Sequence, residues 1–208
     1  YAETLRMYNM PDGHYFFDSE GYRKEASRMM AGLLMTLRGT PFMYEGQEIG
    51  MTNGDFANLS EVEDIESHNI YKMAQNLHIP KNIRWKMIQR TSRDNARTPM
   101  QWTADENAGF TSGKPWLKVN GNYKTVNVET DMADEDGVRA FWKQMINLRK
   151  TDEVLKDGQF CSCLESKDVY AFRRVLGDKE LLSVCNMTGK TVPVPEKIKC
   201  WDNMVVSS

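Results

Sequence analysis

The chain has 208 residues, 40% hydrophobic and 27% charged, with a formal net charge of −2, as expected of a globular chain of one or two domains. The near-balance of charge, with no basic block, argues against nucleic acid as the main partner. No apolar run approaches the roughly 20 residues that span a bilayer, and no secretory signal is visible, although the chain begins at Tyr.

In chain order, Tyr22 to Arg38 is expected to be a helix, with Ala26, Met29, Met30, Leu33, Leu34 and Leu37 forming one apolar stripe and Gly39 ending it. "TPFMY", Thr40 to Tyr44, reads as a short buried strand. The polar segment from Glu45 to about Asp136 is too long for a simple connection, so it is expected to be functional or to carry structure of its own. Short helices are expected inside it over Val62 to Gln75 and Ile83 to Gln89. Gly137 to Lys150 returns to helical periodicity through Val138, Phe141, Trp142, Met145 and Leu148. Beyond it, "DVYAFRRV" (168–175), "ELLSVCNM" (180–187) and "KTVPVP" (190–195) read as strands separated by "GDK" and "TGK" turns. This texture places a domain boundary near Lys150, dividing residues 1–150 from a small antiparallel β domain over 151–208. Helix, glycine, strand and long polar segment follow one another as in an α/β barrel or layered sheet.

Cys161, Cys163, Cys185 and Cys200 lie late in the chain without a CxxC, and His14, His68 and His78 show no ligand spacing. Reduced thiols in a cytoplasmic protein are expected, with no metal site and no cofactor assigned.

Four stretches stand out in order: "GTPFMYEGQEIGMTN" (39–53), "EVEDIESHNIYK" (61–72), "SRDNARTPMQW" (92–102) and "NAGFTSGKPW" (107–116). Together they resemble the C-terminal half of the α-amylase superfamily (glycoside hydrolase family 13), of the oligo-1,6-glucosidase and exo-acting α-glucosidase type. The resemblance covers about residues 20 to 190. It implies the last part of a (β/α)8 TIM barrel followed by a truncated antiparallel β-sandwich. Thr40 to Tyr44 would be the eighth barrel strand, and the long segment after it a wall of the substrate pocket, where barrel enzymes keep their sites.

The resemblance also implies a retaining hydrolysis of α-1,6 or α-1,4 glucosidic bonds at the non-reducing end of oligosaccharides, by an enzyme expected to be monomeric. Such a reaction needs a carboxylate nucleophile and a carboxylic acid about 5 Å apart. In this family both come from barrel strands four and five, which would precede Tyr1. A third carboxylate belongs to an "NHD" motif, but the corresponding stretch here is "RMYNMPDG" (6–13), and Asp12 sits in a different context. The chain therefore reads as a C-terminal portion, inactive alone, with no catalytic residue assigned. The family's calcium ion lies near the first barrel strands, so it too would fall outside these residues. Trehalose-6-phosphate hydrolase, and a non-catalytic carbohydrate-binding or scaffold relative, are the rival readings; sucrose isomerase and trehalose synthase stand further off.

The substrate-binding candidates are Arg93, Glu66 and Arg97. A guanidinium donates paired hydrogen bonds from a rigid fork, which suits the vicinal hydroxyls of a terminal sugar, and the resemblance gives this role to Arg93. The alternative for Arg93 is a loop-holding arginine paired with Asp94 or a backbone carbonyl. Arg97 is the better structural partner. Glu66 matches an acidic residue that bonds the sugar just past the scissile bond; its alternative is a helix-start charge beside Asp64. Glu45, Gln47 and Glu48 are expected mostly to order the loop. Trp102, Phe110 and Trp116 are expected to anchor it rather than stack on sugar.

Overall fold

The computed structural model describes residues 20–165, 168–194, 196–198 and 205–206. The helices are α1 Arg23–Thr36, α2 Ile65–Asn76, α3 Lys81–Thr91, α4 Val128–Ala133, α5 Val138–Thr151 and α6 Glu153–Asp157. They are followed by strands β1 Gln159–Glu165, β2 Val169–Leu176 and β3 Lys179–Asn186. The chain divides into two units, one over residues 43–137 and the other combining the stretch up to Phe42 with the stretch from Val138 onward. Asp12 and its neighbours, His14 and Cys200 lie outside the described residues.

In the second unit, α1 packs on α5. Ala31 and Met35 meet Val138, Phe141, Trp142 and Met145 in one buried cluster. The burial differs from the expected stripe: Met30, Leu33, Leu34 and Leu37 are only partly buried, because α5 covers the Ala31–Met35 side of the helix. The helix stops earlier than Gly39, at Leu37, whose backbone turns extended. The carbonyls left over at its end are taken by guanidinium groups. Arg149 Nη1 donates to Met35 O at 2.5 Å and Leu37 O at 2.8 Å, and Nη2 donates to Gly39 O. Arg174 Nη1 reaches Thr36 O at 2.9 Å, while its Nε and Nη2 hold Gly158 O. Cations at a helix C-terminus are doubly favoured there, by hydrogen bonding and by the helix dipole.

Thr40 to Tyr44 is not a strand. Its backbone has no ladder partner among the described residues, and Phe42 is 81% exposed. A strand exists only with a neighbour to take its N–H and C=O groups. The described sheet is a single three-stranded antiparallel one in the order β1-β2-β3. β2 and β3 form a hairpin closed at Leu176↔Lys179, where Gly177 supplies φ +61°. β1, not expected from the sequence, pairs with β2 across a bulge between Ser162 and Leu164. Residues 190–194 of "KTVPVP" form no strand; proline brings no N–H to a ladder and tolerates only edges.

The first unit is the long polar segment, and it has structure of its own. α2 and α3 enclose a core of Phe56, Val62 and Ile88, flanked by Ile70, Tyr71 and Trp85. The chain reverses between the two helices at His78, with φ 56°, and Pro80 starts the next one. A second core joins Ile49, Met51 and Met100. Gly46 is required beside it: its φ is +86°, and a Cβ there would lie 2.6 Å from Met51 Sδ. Buried amides tie distant loops together. Asn120 Nδ2 donates to Thr52 Oγ1 and Asn53 O, and Gln101 Nε2 donates to Val126 O.

Candidate substrate-binding site

The short turn Arg93–Ala96 leaves α3 through Ser92, whose hydroxyl accepts the Asp94 N–H at 3.3 Å. Within this turn Asp94 and Asn95 point inward and are buried, whereas the two flanking arginines reach outward. Asn95 Oδ1 accepts the Gly54 N–H, and its Nδ2 donates to Gln89 O. Asp94 Oδ2 accepts the backbone N–H groups of Glu63 at 2.7 Å and Asp64 at 2.9 Å. A buried carboxylate therefore fastens the turn to the start of α2, about thirty residues away in sequence.

Asp64 then does two things. Its Oδ2 caps α2 by accepting the Ser67 N–H and Oγ–H at 3.2 and 2.7 Å. Its Oδ1 receives Arg93 Nε at 3.0 Å and Nη2 at 2.7 Å. Burial alone would raise the Asp64 carboxyl, but the hydrogen bonds from Arg93 and Ser67 and the guanidinium charge outweigh it and hold the group below its ordinary value. Arg93 Nη2 also lies 3.2 Å from Glu66 Oε2. The Arg93 side chain remains 46% exposed and that of Glu66 61%.

Arg93 and Glu66 are thus brought together, and Arg93 pairs with Asp64 and Glu66 rather than with Asp94. Arg97 is the residue facing Asp94, with Nη1 3.6 Å from Oδ1, an ion pair beyond hydrogen-bonding distance. Glu66 stands in the first turn of α2, as its helix-start reading requires, and is paired with Arg93 as well. Gln47 orders the loop entry by accepting the Tyr44 N–H through Oε1 at 3.0 Å. Trp102, Phe110 and Trp116 are 48%, 47% and 67% exposed. Their loop is shaped by its backbone, where Asn107, Ala108 and Gly109 are all left-handed and Ala108 O accepts the N–H groups of Trp102 and Thr103.

Asp64 and Asp94 carry the geometry of this site and were not singled out from the sequence. Their signal was faint: an Asp two residues before a helical "ES", and an Asp inside a turn, each readable as a solvated charge. Chemically, the cluster offers a half-exposed guanidinium beside an exposed carboxylate, a donor and an acceptor side by side. Its carboxylates do not form an acid–base pair, because both face Arg93 and Asp64 is held ionised. His68 Nε2 lies 2.6 Å from Val62 O. Among the described residues no three His, Cys, Asp or Glu side chains are grouped to hold a metal ion, and no helix is long and apolar enough to cross a membrane.

The α-amylase catalytic-domain family model matches residues 13–158, and the chain belongs to that family. It is 40% identical over 176 residues to the oligo-1,6-glucosidase of Halalkalibacterium halodurans, covering 84% of this chain and 31% of that protein. It is 36% identical to the trehalose-6-phosphate hydrolase of Escherichia coli, covering 86% and 32%. Among solved structures, the isomaltulose synthase of a Klebsiella species superimposes with a TM-score of 0.80 at 38% identity, covering 84% of this chain and 32% of that one. The trehalose-6-phosphate hydrolase of Bacillus licheniformis gives 0.80 at 37% identity, covering 89% and 34%. The matched portion is therefore part of a TIM barrel, and the chain spans about a third of the length of the curated relatives it matches.

Proposed function

We propose that these residues belong to a retaining α-glucosidase that cleaves α-1,6 or α-1,4 bonds at the non-reducing end of oligosaccharides, and that Arg93, with Glu66 beside it, grips the sugar. The observation that carries this reading is the half-exposed Arg93 guanidinium, fixed on Asp64 and flanked by Glu66. It is supported by the likeness to oligo-1,6-glucosidases. Arg97 stands behind the site as the counter-charge of Asp94. The nucleophile and the acid are assigned outside these 208 residues, and the three-stranded sheet is read as the start of a β-sandwich domain after a boundary near Lys150.

The test is hydrolysis by the full-length protein of isomaltose, maltose and trehalose 6-phosphate, followed by proton NMR. Glucose should appear first as the α-anomer from isomaltose or maltose, since double displacement retains configuration. Release of the β-anomer, turnover of trehalose 6-phosphate alone, or no turnover of any of the three would overturn the reading.

A further inference from the structure

We propose that Asp94 is the positioning residue of this site, setting the Arg93 guanidinium through a closed ring of bonds. The inference rests on the sugar-binding reading of Arg93 and goes one step behind it. The ring has four links. Arg93 grips Asp64 Oδ1 through Nε and Nη2. The Asp64 side chain continues into its own backbone N–H, which donates to Asp94 Oδ2 at 2.9 Å. Asp94 is the covalent neighbour of Arg93, which closes the circuit. The Glu63 N–H donates to the same Oδ2 at 2.7 Å.

Each link restricts a different freedom. The double N–H grip fixes the guanidinium plane. The cap on Ser67 fixes the Asp64 rotamer. Asp94, with none of its side chain exposed, fixes the spacing between the turn and the start of α2, and hence the spacing between Arg93 and Glu66. Were Asp94 absent, two backbone N–H groups would lose their acceptor, and the α2 start would move relative to Arg93. A displacement of about 1 Å at a positioning contact can cost on the order of a hundredfold in rate. Asp94 touches no sugar in this scheme; it acts only through Arg93 and the residues that hold it.

The experiment uses the full-length protein with Asp94→Ala, Asp94→Asn, Arg93→Lys and the Arg93→Lys/Asp94→Ala double variant, assayed on isomaltose well below each melting temperature. Asp94→Ala should lower kcat/KM about tenfold or more. Asp94→Asn, whose amide oxygen still accepts both N–H groups, should stay within about threefold of the parent. On the Arg93→Lys background the Asp94→Ala change should cost little more, the non-additivity expected of coupled residues. Peptide-mapped modification of Arg93 by phenylglyoxal should be faster in Asp94→Ala, because the ring no longer holds it. Unchanged kcat/KM with unchanged Arg93 reactivity, or fully additive losses, would overturn the proposal. Should Arg93→Lys itself keep normal kcat/KM, the sugar-binding reading fails, and the Arg93 modification rate alone then decides whether Asp94 positions it.

Discussion

Two arginines four residues apart take different partners because Asp94, between them, faces inward. Asp94 is buried, Arg97 supplies its counter-charge at 3.6 Å, and Arg93 is turned the other way onto Asp64 and Glu66. In the full-length protein, Arg93→Lys should lower kcat/KM by about 2–3 kcal/mol, since a point-charge ammonium cannot reproduce the fork. Arg97→Lys should leave kcat/KM nearly unchanged and lower the melting temperature by a few degrees at most, as befits a half-exposed pair. Kinetics and thermal melts on the two variants separate these roles, and the reverse pattern would exchange them. The Arg93–Asp64 pair also gives stability a pH dependence. Asp64 has a folded pKa below its unfolded one, so its contribution is complete above the ordinary carboxylate range and is lost as pH falls through the lowered value. Urea melts from neutral pH downward should show a loss in the parent that Asp64→Asn lacks. Arg93 and Glu66 could be picked out of the sequence because their motifs resemble a known family, and the structure places the two side by side. Asp64 and Asp94 could not be picked out, because their burial depends on backbone groups thirty residues distant, which no local pattern records.

Elements were legible wherever one chain segment supplied the whole signal. α1 and α5 lie where periodicity places them, and α2 and α3 where short helices are expected, with ends moved by a few residues. Thr40 to Tyr44 failed as a strand because an apolar run records only a tendency, and a ladder needs a partner. The run at 190–195 failed because two prolines remove the donors a strand requires. β1 was missed because Gln159–Glu165, "QFCSCLE", mixes small, polar and apolar residues and contains a bulge that breaks alternation. The hidden determinant of the second unit is Arg174, a fully buried guanidinium in β2 whose hydrogen bonds all go to backbone carbonyls, at Thr36 and Gly158. It joins the end of α1 to the sheet. Burial and the charges of Arg149 and Arg38 together depress its pKa, so its partners are neutral acceptors and its neighbours repel it. Removing it should nevertheless be costly. Arg174→Ala would leave both carbonyls unpaired and a void in their place, a loss of about 2–4 kcal/mol measurable in urea melts. A neutral result would mean that water replaces the guanidinium without penalty. On the same sheet, burial pushes the Cys185 thiol up to about 11 while Cys161 is exposed. Iodoacetamide at neutral pH should therefore label Cys161 and spare Cys185 until the chain unfolds.

For the whole molecule, the proposed function separates binding from chemistry. The first unit carries a cluster suited to gripping hydroxyls, yet cleavage with retention requires one carboxylate free to attack and one carboxylic acid free to protonate the leaving oxygen. At this cluster neither is on offer. Asp64 Oδ1 is occupied by Arg93 and Oδ2 by Ser67, and its lowered pKa leaves it ionised, with no proton to give. Glu66 is exposed and its Oε2 is already paired with the Arg93 guanidinium. Removing a catalytic unit leaves only a small residue of the rate enhancement. The 208 residues, expressed alone, should therefore release no p-nitrophenol from an α-glucoside above a mock preparation. Three successive large apolar residues, Phe42, Met43 and Tyr44, lie exposed, as do Trp102, Phe110 and Trp116. A dye that fluoresces on apolar surfaces should bind the isolated chain at once, before any denaturant is added. Turnover by the isolated chain, abolished by Glu66→Gln and by Asp64→Asn alike, would instead place the chemistry at this cluster and turn the assignment of Arg93 from sugar grip to carboxylate partner.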